Sequence, residues 1–273
     1  MDSRRDQGRT HLRLGQHPPP DLPPKGGGPL GSDPPALSVV VPVYNEGENV
    51  VPTLRGVIER TRTRPLEVLV VHDFDEDTTV PVVKRLQAEI PELRLHRNTI
   101  GRGVLNAIKS GFAAARAPYV LVTMGDGSDD ASDIDPMYEL ARGGADVVAG
   151  SRYMRGGRQL GGPLLKRTLS RGAGLSLHWL AGIPVHDATS NFRLYSKRLL
   201  DQVTIESDGG FELGIELTVK AYLLGMRVAE VPTTWRDRTA GQSRFQLWRW
   251  LPRYLRWYRR GIAGRFRAKN ISR

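Results

Sequence analysis

The chain has 273 residues, with 40 Lys and Arg against 29 Asp and Glu, six His and no Cys, giving a formal charge of +11. That length accommodates one large α/β domain or two small ones. The absence of Cys excludes a disulfide scaffold, a Cys-ligated zinc or iron–sulfur site and a thiol nucleophile. The charge is local: between Arg236 and Arg273 there are twelve basic residues and one acid, Asp237, and the rest of the chain is formally neutral. A neutral body with a basic, aromatic tail offers no charged groove, so no nucleic acid partner is expected.

Residues 1–36 are rich in Pro and Gly and almost free of large apolar side chains, so a disordered tail is expected there. From Leu37 the texture changes. Leu37–Val43 reads as a buried strand, residues 47–61 as a helix, Leu66–Val71 as a second strand and Val80–Ile90 as a second helix. Leu93–His96 is a short strand, Gly103–Ala115 a helix, Tyr119–Thr123 a strand, Ile134–Arg142 a helix and Asp146–Gly150 a strand. Strands alternating with helices at this spacing imply parallel βαβ units. In such sheets ligands bind beyond the carboxyl ends of the strands. No run reaches the roughly 18–20 apolar residues of a spanning helix; the charge-free stretch from Gly172 to His186 is too short and is broken by Gly and Pro. Arg4 and Arg5 lead into polar residues rather than the apolar core of a secretory leader. The expected location is the cytoplasm, peripheral at the cytoplasmic face of a membrane.

The segments just after the strands carry the chemistry. They are Pro42-Val43-Tyr44-Asn45-Glu46, His72-Asp73-Phe74-Asp75-Glu76-Asp77, Gly125-Asp126-Gly127-Ser128-Asp129-Asp130 and Ser151-Arg152-Tyr153. Acids at one such junction are ordinary caps and turns; several converging on one sheet edge suit a hard divalent cation, Mg2+ or Mn2+, bridging to phosphate. No G-x-G-x-x-G comes after the first strand and no G-x-x-x-x-G-K-[ST] occurs, so dinucleotide binding and P-loop hydrolysis are disfavoured.

Taken in order, VVVPVYNE (39–46), VVHDFDEDTT (70–79), GRGVLNAIKSGF (101–112), TMGDGSDD (123–130), AGSRY (149–153), HDATSNFRLYSK (186–197) and GQSRF (241–245) resemble glycosyltransferase family 2, and within it the dolichyl- or polyprenyl-phosphate mannose synthases. The resemblance covers about residues 37–246. It implies an α/β fold of GT-A type, a Rossmann-like, mostly parallel sheet flanked by helices. It also implies an inverting, metal-dependent transfer of a sugar, mannose from GDP-mannose, to polyprenyl phosphate. By position, Pro42, Tyr44 and Glu46 would contact the nucleotide, Asp73 the base or ribose, and Asp126 the cation and diphosphate. Arg152, Arg238 and Arg244 would face phosphates, and Asp187, Ser190 and Arg193 would shape the acceptor side. The sequence departs from the family at His72 and at Met124, which replaces the first acid of D-x-D, and Ser128 stands where the synthases carry Gln. The cation set is then Asp126, Ser128 and Asp129, with Asp130 a further addition. A lipid phosphate acceptor needs no general base; a glycan hydroxyl would need one, with Asp187 or Glu212 as candidates. A catalytically impaired binding relative is the remaining alternative.

The expected organisation is a tail (1–36), a catalytic domain (37–240) and basic amphipathic helices (241–273) meeting an anionic membrane surface. On a helical projection Leu247, Trp248, Leu251, Leu255, Tyr258 and Ile262 fall on one side, and Arg249, Arg253, Arg256 and Arg260 on the other. Pro252 implies a kink or two short helices.

Overall fold

The computed structural model describes residues 34–162, 164–210, 212–237 and 247–271. Residues 1–33 of the expected tail, the boundary at 240–241 and the two arginines Arg238 and Arg244 lie outside the described residues.

A seven-stranded sheet runs β3-β2-β1-β4-β7-β5-β8, made of β1 (Leu37–Pro42), β2 (Leu66–His72), β3 (Leu93–Arg97), β4 (Tyr119–Val122), β5 (Val147–Ser151), β7 (Arg193–Ser196) and β8 (Val228–Pro232). All pairs are parallel except those of β7, which lies antiparallel between β4 and β5. The strands expected from sequence are therefore present, and the carboxyl ends of β1, β2, β4 and β5 share one edge. A second, two-stranded sheet pairs β6 (Arg158–Leu160) with β9 (Thr234–Arg236).

Alternation along β1 divides the core. Val39 and Val41 face one layer, with α1 (Val51–Arg60), α2 (Thr79–Gln87) and α4 (Ile134–Arg142) supplying Leu54, Val83 and Met137. Val40 faces the other, with α3 (Val104–Ala114), α5 (Leu164–Ala181), α7 (Leu213–Leu223) and α8 (Leu247–Ile271) supplying Ile108, Leu177, Leu217 and Trp257. The β-branched runs are thus buried on both faces, as a helix-covered parallel sheet requires. The short α6 (Lys197–Gln202) comes directly after β7.

The tail differs from expectation in two ways. α8 is one continuous helix of 25 residues with Pro252 inside it. The proline falls in the second turn, where it removes a single early intrahelical bond. From Tyr254 onward the helix also packs part of its apolar side on the protein. Trp257 is fully buried, Tyr254, Tyr258 and Ile262 pack on the same core, and the seam includes Gly261 against Leu177 and Ile183, whereas Leu255 points outward. The seam runs through Trp257 and Gly261 and shares Tyr258 and Ile262 with the expected stripe. Arg256 and Arg260 pair with Glu206, and Arg253 with Asp208 (2.7 Å), so part of the basic side is tied to the body as well. Among the described residues, no helix is long and apolar enough to cross a membrane.

Candidate active site

The loop after β1 is held from behind by the start of α2. The Asp77 carboxylate accepts from the Asn45 amide (2.9 Å) and the Thr79 amide (2.8 Å), and the Thr79 hydroxyl accepts from the Glu46 amide (3.0 Å). Asn45 takes a left-handed φ of 53° that turns the chain here. Pro42, Tyr44 and Glu46 are thereby set at the sheet edge. Phe74, after β2, meets Tyr44 edge-on at 5.6 Å, and the Arg102 guanidinium lies 5.2 Å from the Phe74 ring. Asp73 is engaged locally: it accepts from Asn98 Nδ2 (2.7 Å) and from the Gly103 amide (2.8 Å), pinning the loop that carries Arg102. His72 is buried, its Nδ1 3.0 Å from the Phe74 carbonyl.

The loop after β4 comes up against the first. A Cβ on Gly125 would sit 3.2 Å from Val43 Cγ1 and 3.5 Å from the Pro42 carbonyl, so glycine permits this approach. Asp126 is next, with Oδ1 accepting from the Ser128 amide (3.1 Å). Ser128 itself is buried and contributes through its backbone, its carbonyl accepting from the Arg236 amide (2.9 Å), which fastens the loop to β9. Asp129 turns back, its Oδ2 accepting from the Thr123 hydroxyl (3.1 Å) and the Met124 amide (3.2 Å). Desolvation pushes the Asp129 carboxyl up to about 7, with the Asp126 charge adding to the rise and Arg152 opposing it. Asp130 points outward to Arg60 (3.3 Å) and Arg236 (3.5 Å).

The expected cation set is thus rearranged: Asp126 presents a carboxylate, Asp129 stands behind it, and Ser128 is used as backbone. Among the described residues no three His, Cys, Asp or Glu side chains are grouped to hold a metal. The donor set still fits Mg2+ or Mn2+, which bind commonly through one or two carboxylates plus substrate phosphate oxygens.

Arg152 is paired rather than directed at open space. Its Nε donates to Asp187 Oδ2 (2.6 Å), and Nη2 donates to Asp187 Oδ1 (3.1 Å), Thr189 Oγ1 (2.9 Å) and Ser170 Oγ (3.4 Å). Its guanidinium carbon also lies 4.9 Å from the Tyr153 ring and 5.9 Å from the Trp235 ring. Asp187 is wholly buried and accepts further from the amides of Arg152 (3.2 Å), Thr189 (3.1 Å) and Ser190 (3.2 Å). Burial alone would raise its carboxyl; the Arg152 charge and these bonds hold it below the usual range. Arg193 is buried too, donating to the Ser190 and Asp187 carbonyls and the Thr218 hydroxyl. Glu212 is buried, accepting from the Gly209 (2.9 Å) and Gly210 (3.0 Å) amides. Both carboxylates offered as general bases are therefore spent on backbone and arginine.

α5 reaches this loop because Gly174 lets it: a Cβ there would lie 2.2 Å from the His186 carbonyl oxygen. Gly174→Ala must push α5 off the Asp187 loop, and overpacking of this kind costs about 1–3 kcal/mol. We expect its melting midpoint to fall by several degrees in a thermal scan; an unchanged midpoint would show that the packing is slack.

Ser170, Thr189, Tyr153 and Tyr254 also gather in this region, and of these the sequence singles out only Tyr153, in the segment after β5. The first three form one hydroxyl cluster, Ser170 Oγ lying 2.6 Å from Thr189 Oγ1 and 2.9 Å from Tyr153 Oη. Tyr254, on α8, has its phenol raised by burial and lies within electrostatic reach of Glu212, Arg152 and Asp187. Thr189 and Tyr153 lie inside the motifs HDATSNFRLYSK and AGSRY, but Ser170 and Tyr254 arrive only through the packing of α5 and α8.

The family model for glycosyl transferase family 2 matches residues 38–204. The chain is 32% identical over 213 residues to the polyprenol monophosphomannose synthase of Mycolicibacterium smegmatis, covering 76% of this chain and 79% of that protein. It is 32% identical over 212 residues to the undecaprenyl-phosphate mannosyltransferase of Micrococcus luteus, covering 75% and 85%. Among solved structures, the mannosyltransferase PcManGT from Pyrobaculum calidifontis, in complex with GDP-Man and Mn2+, superposes with a TM-score of 0.56 at 20% identity. That match covers 89% of this chain and 66% of the other, so this chain spans just under two thirds of its length.

Proposed function

Because the chain belongs to glycosyl transferase family 2 and is a glycosyltransferase, we propose that it transfers mannose from GDP-mannose, with inversion, to a polyprenyl or dolichyl phosphate. The observation that carries the choice of acceptor is the saturation of Asp187 and Glu212. A hydroxyl acceptor needs a base to take its proton. A lipid monophosphate is already largely ionised at neutral pH, since its second pKa is about 6. The names of the mycobacterial and Micrococcus relatives support the same acceptor class, and the GDP-Man and Mn2+ of the Pyrobaculum structure support the donor and a divalent cation.

In this reading Pro42, Tyr44 and Glu46 receive the nucleotide, and Asp126 would hold Mg2+ or Mn2+, with Asp129 and Ser128 shaping the loop behind it. A bound cation would neutralise the charge that builds on the leaving diphosphate. Arg238 and Arg244, on the segment after β9, add cationic contacts to phosphate. Arg152 and Asp187 fix the acceptor loop, which lets the attacking oxygen be held in line with the anomeric carbon. The enzyme works peripherally at the cytoplasmic face of a membrane, where its acceptor resides.

A mass-spectrometric screen tests this: purified protein, polyprenyl phosphate, Mg2+ or Mn2+, and a panel of nucleotide sugars. The expected result is a hexosyl-phosphoryl lipid formed fastest from GDP-mannose. Failure with every nucleotide sugar would overturn the proposal.

A further inference from the structure

Tyr254, Trp257, Tyr258 and Ile262 of α8 pack on the protein, and the exposed apolar side chains nearby lie largely on α5. On its inner side Leu177 and Ala181 are buried, and Ser170 reaches Arg152. On its outer side Leu169, Trp179 and Leu180 are 44%, 72% and 53% exposed. Leu223 and Leu224, at the end of α7, are 46% and 53% exposed. α8 brings the two ends together: Arg265 Nη1 donates to the carbonyls of Trp179 (2.6 Å) and Leu180 (2.9 Å), and Leu223 packs against Gly264.

A largely exposed tryptophan among exposed leucines marks an interaction surface rather than an ordinary solvated helix. Its charge environment selects the occupant. Neither α5 nor α8 contains an Asp or Glu, while Arg167 and Arg171 lie on α5 and Arg259 and Arg265 on α8. A second copy of the chain would bring like charge against like charge. An anionic bilayer takes the tryptophan and leucines at its headgroup boundary and attracts the arginines.

We infer that the outer face of α5, with the ends of α7 and α8 beside Trp179 and Leu180, docks the protein on an anionic lipid surface. The link to catalysis rests on the lipid phosphate acceptor proposed above. Ser170 and Trp179 are nine residues apart on α5, about 14 Å along the helix axis, so a phosphate at the bilayer surface is within one helix length of the Arg152 and Asp187 loop.

The test compares wild type with the double variant Trp179→Glu and Leu180→Glu, and with Leu223→Glu as a second, independent variant. Each is first shown to melt as wild type does. Partitioning is measured on vesicles of equal parts phosphatidylglycerol and phosphatidylcholine, and on phosphatidylcholine alone. Wild type should bind the anionic vesicles, less at high salt, and bind the neutral ones weakly. The double variant should bind at least about tenfold more weakly, and Leu223→Glu should be impaired in the same direction. Transfer to polyprenyl phosphate in the anionic vesicles should fall in parallel, while transfer to a short, water-soluble prenyl phosphate stays at the wild-type rate. Variants that bind anionic vesicles like wild type overturn the inference, as does a patch whose charging only dissociates a dimer. Loss of transfer to the short acceptor in wild type would instead strike the proposed function and leave the vesicle result standing.

Discussion

Asp126→Asn should reduce sugar transfer by about 10³-fold, the scale on which a preorganised charge at a reacting centre acts, while leaving the melting midpoint within about one degree. The asymmetry comes from its position. Asparagine keeps an oxygen to accept the Ser128 amide bond, so the turn survives. What it loses is the carboxylate on the loop that Gly125 brings against Pro42 and Val43. Titration of GDP-mannose with Mn2+ and then with excess chelator separates binding from turnover: wild type should bind more tightly with the cation, and the variant should show no such gain. Equal, cation-enhanced binding by both proteins would remove Asp126 from its proposed role.

Asp187→Asn should damage the fold as well as the reaction. Breaking a buried ion pair by removing one partner typically costs about 3–5 kcal/mol, because the remaining charge stays buried. Here that charge is Arg152, whose pKa the Asp187 charge and hydrogen bonds raise against the opposing effect of burial. A fall of roughly ten degrees in the melting midpoint is expected for a domain of this size. Arg152→Lys should recover little, since an ammonium cannot reproduce the two-pronged contact to Asp187 together with the bonds to Thr189 and Ser170. The pair Arg152→Met with Asp187→Leu should regain part of the stability and none of the activity, which separates folding from positioning. Because Asp187 titrates below the usual carboxylate value when folded, the stabilisation is intact above about pH 4 and fades as pH falls further. Wild-type melting of Asp187→Asn at neutral pH would contradict this account.

The strands and helices as far as β5 are legible in the sequence because their apolar periodicity is strong. The run Leu37–Val43 buries both faces as a parallel strand should, and Ile134–Arg142 begins and ends where its pattern does. The chain beyond β5 is less legible. α5 carries Gly172, Gly174 and Ser176, which depress helix propensity, yet Gly174 is there because the helix must touch the His186 carbonyl. β7 enters the sheet antiparallel, and four residues with Arg193 at their head carry no alternation that would announce it.

The site is legible in its composition and less so in its wiring. Sequence pattern places Asp126 and Arg152 at strand ends and Asp187 in the HDATSNFRLYSK motif. It does not reveal that Arg152 and Asp187 neutralise one another, or that Asp73 is occupied by Asn98 and Gly103, because both facts depend on loops distant in sequence. The tail illustrates the same limit. Its amphipathic projection is real, but a sequence alone does not say whether an apolar stripe is covered by lipid or by protein. Trp257, outside the expected stripe, is covered by protein, together with Tyr258 and Ile262 of the stripe itself.

The central claim is that the acceptor brings its own ionised oxygen. The most direct measurement offers the enzyme two lipids of equal chain length, polyprenyl phosphate and the corresponding polyprenol, with GDP-mannose and Mn2+, and weighs the products. The account predicts a mannosyl-phosphoryl lipid from the phosphate and no product from the alcohol. Mannosylated polyprenol, formed at a comparable rate, would contradict it.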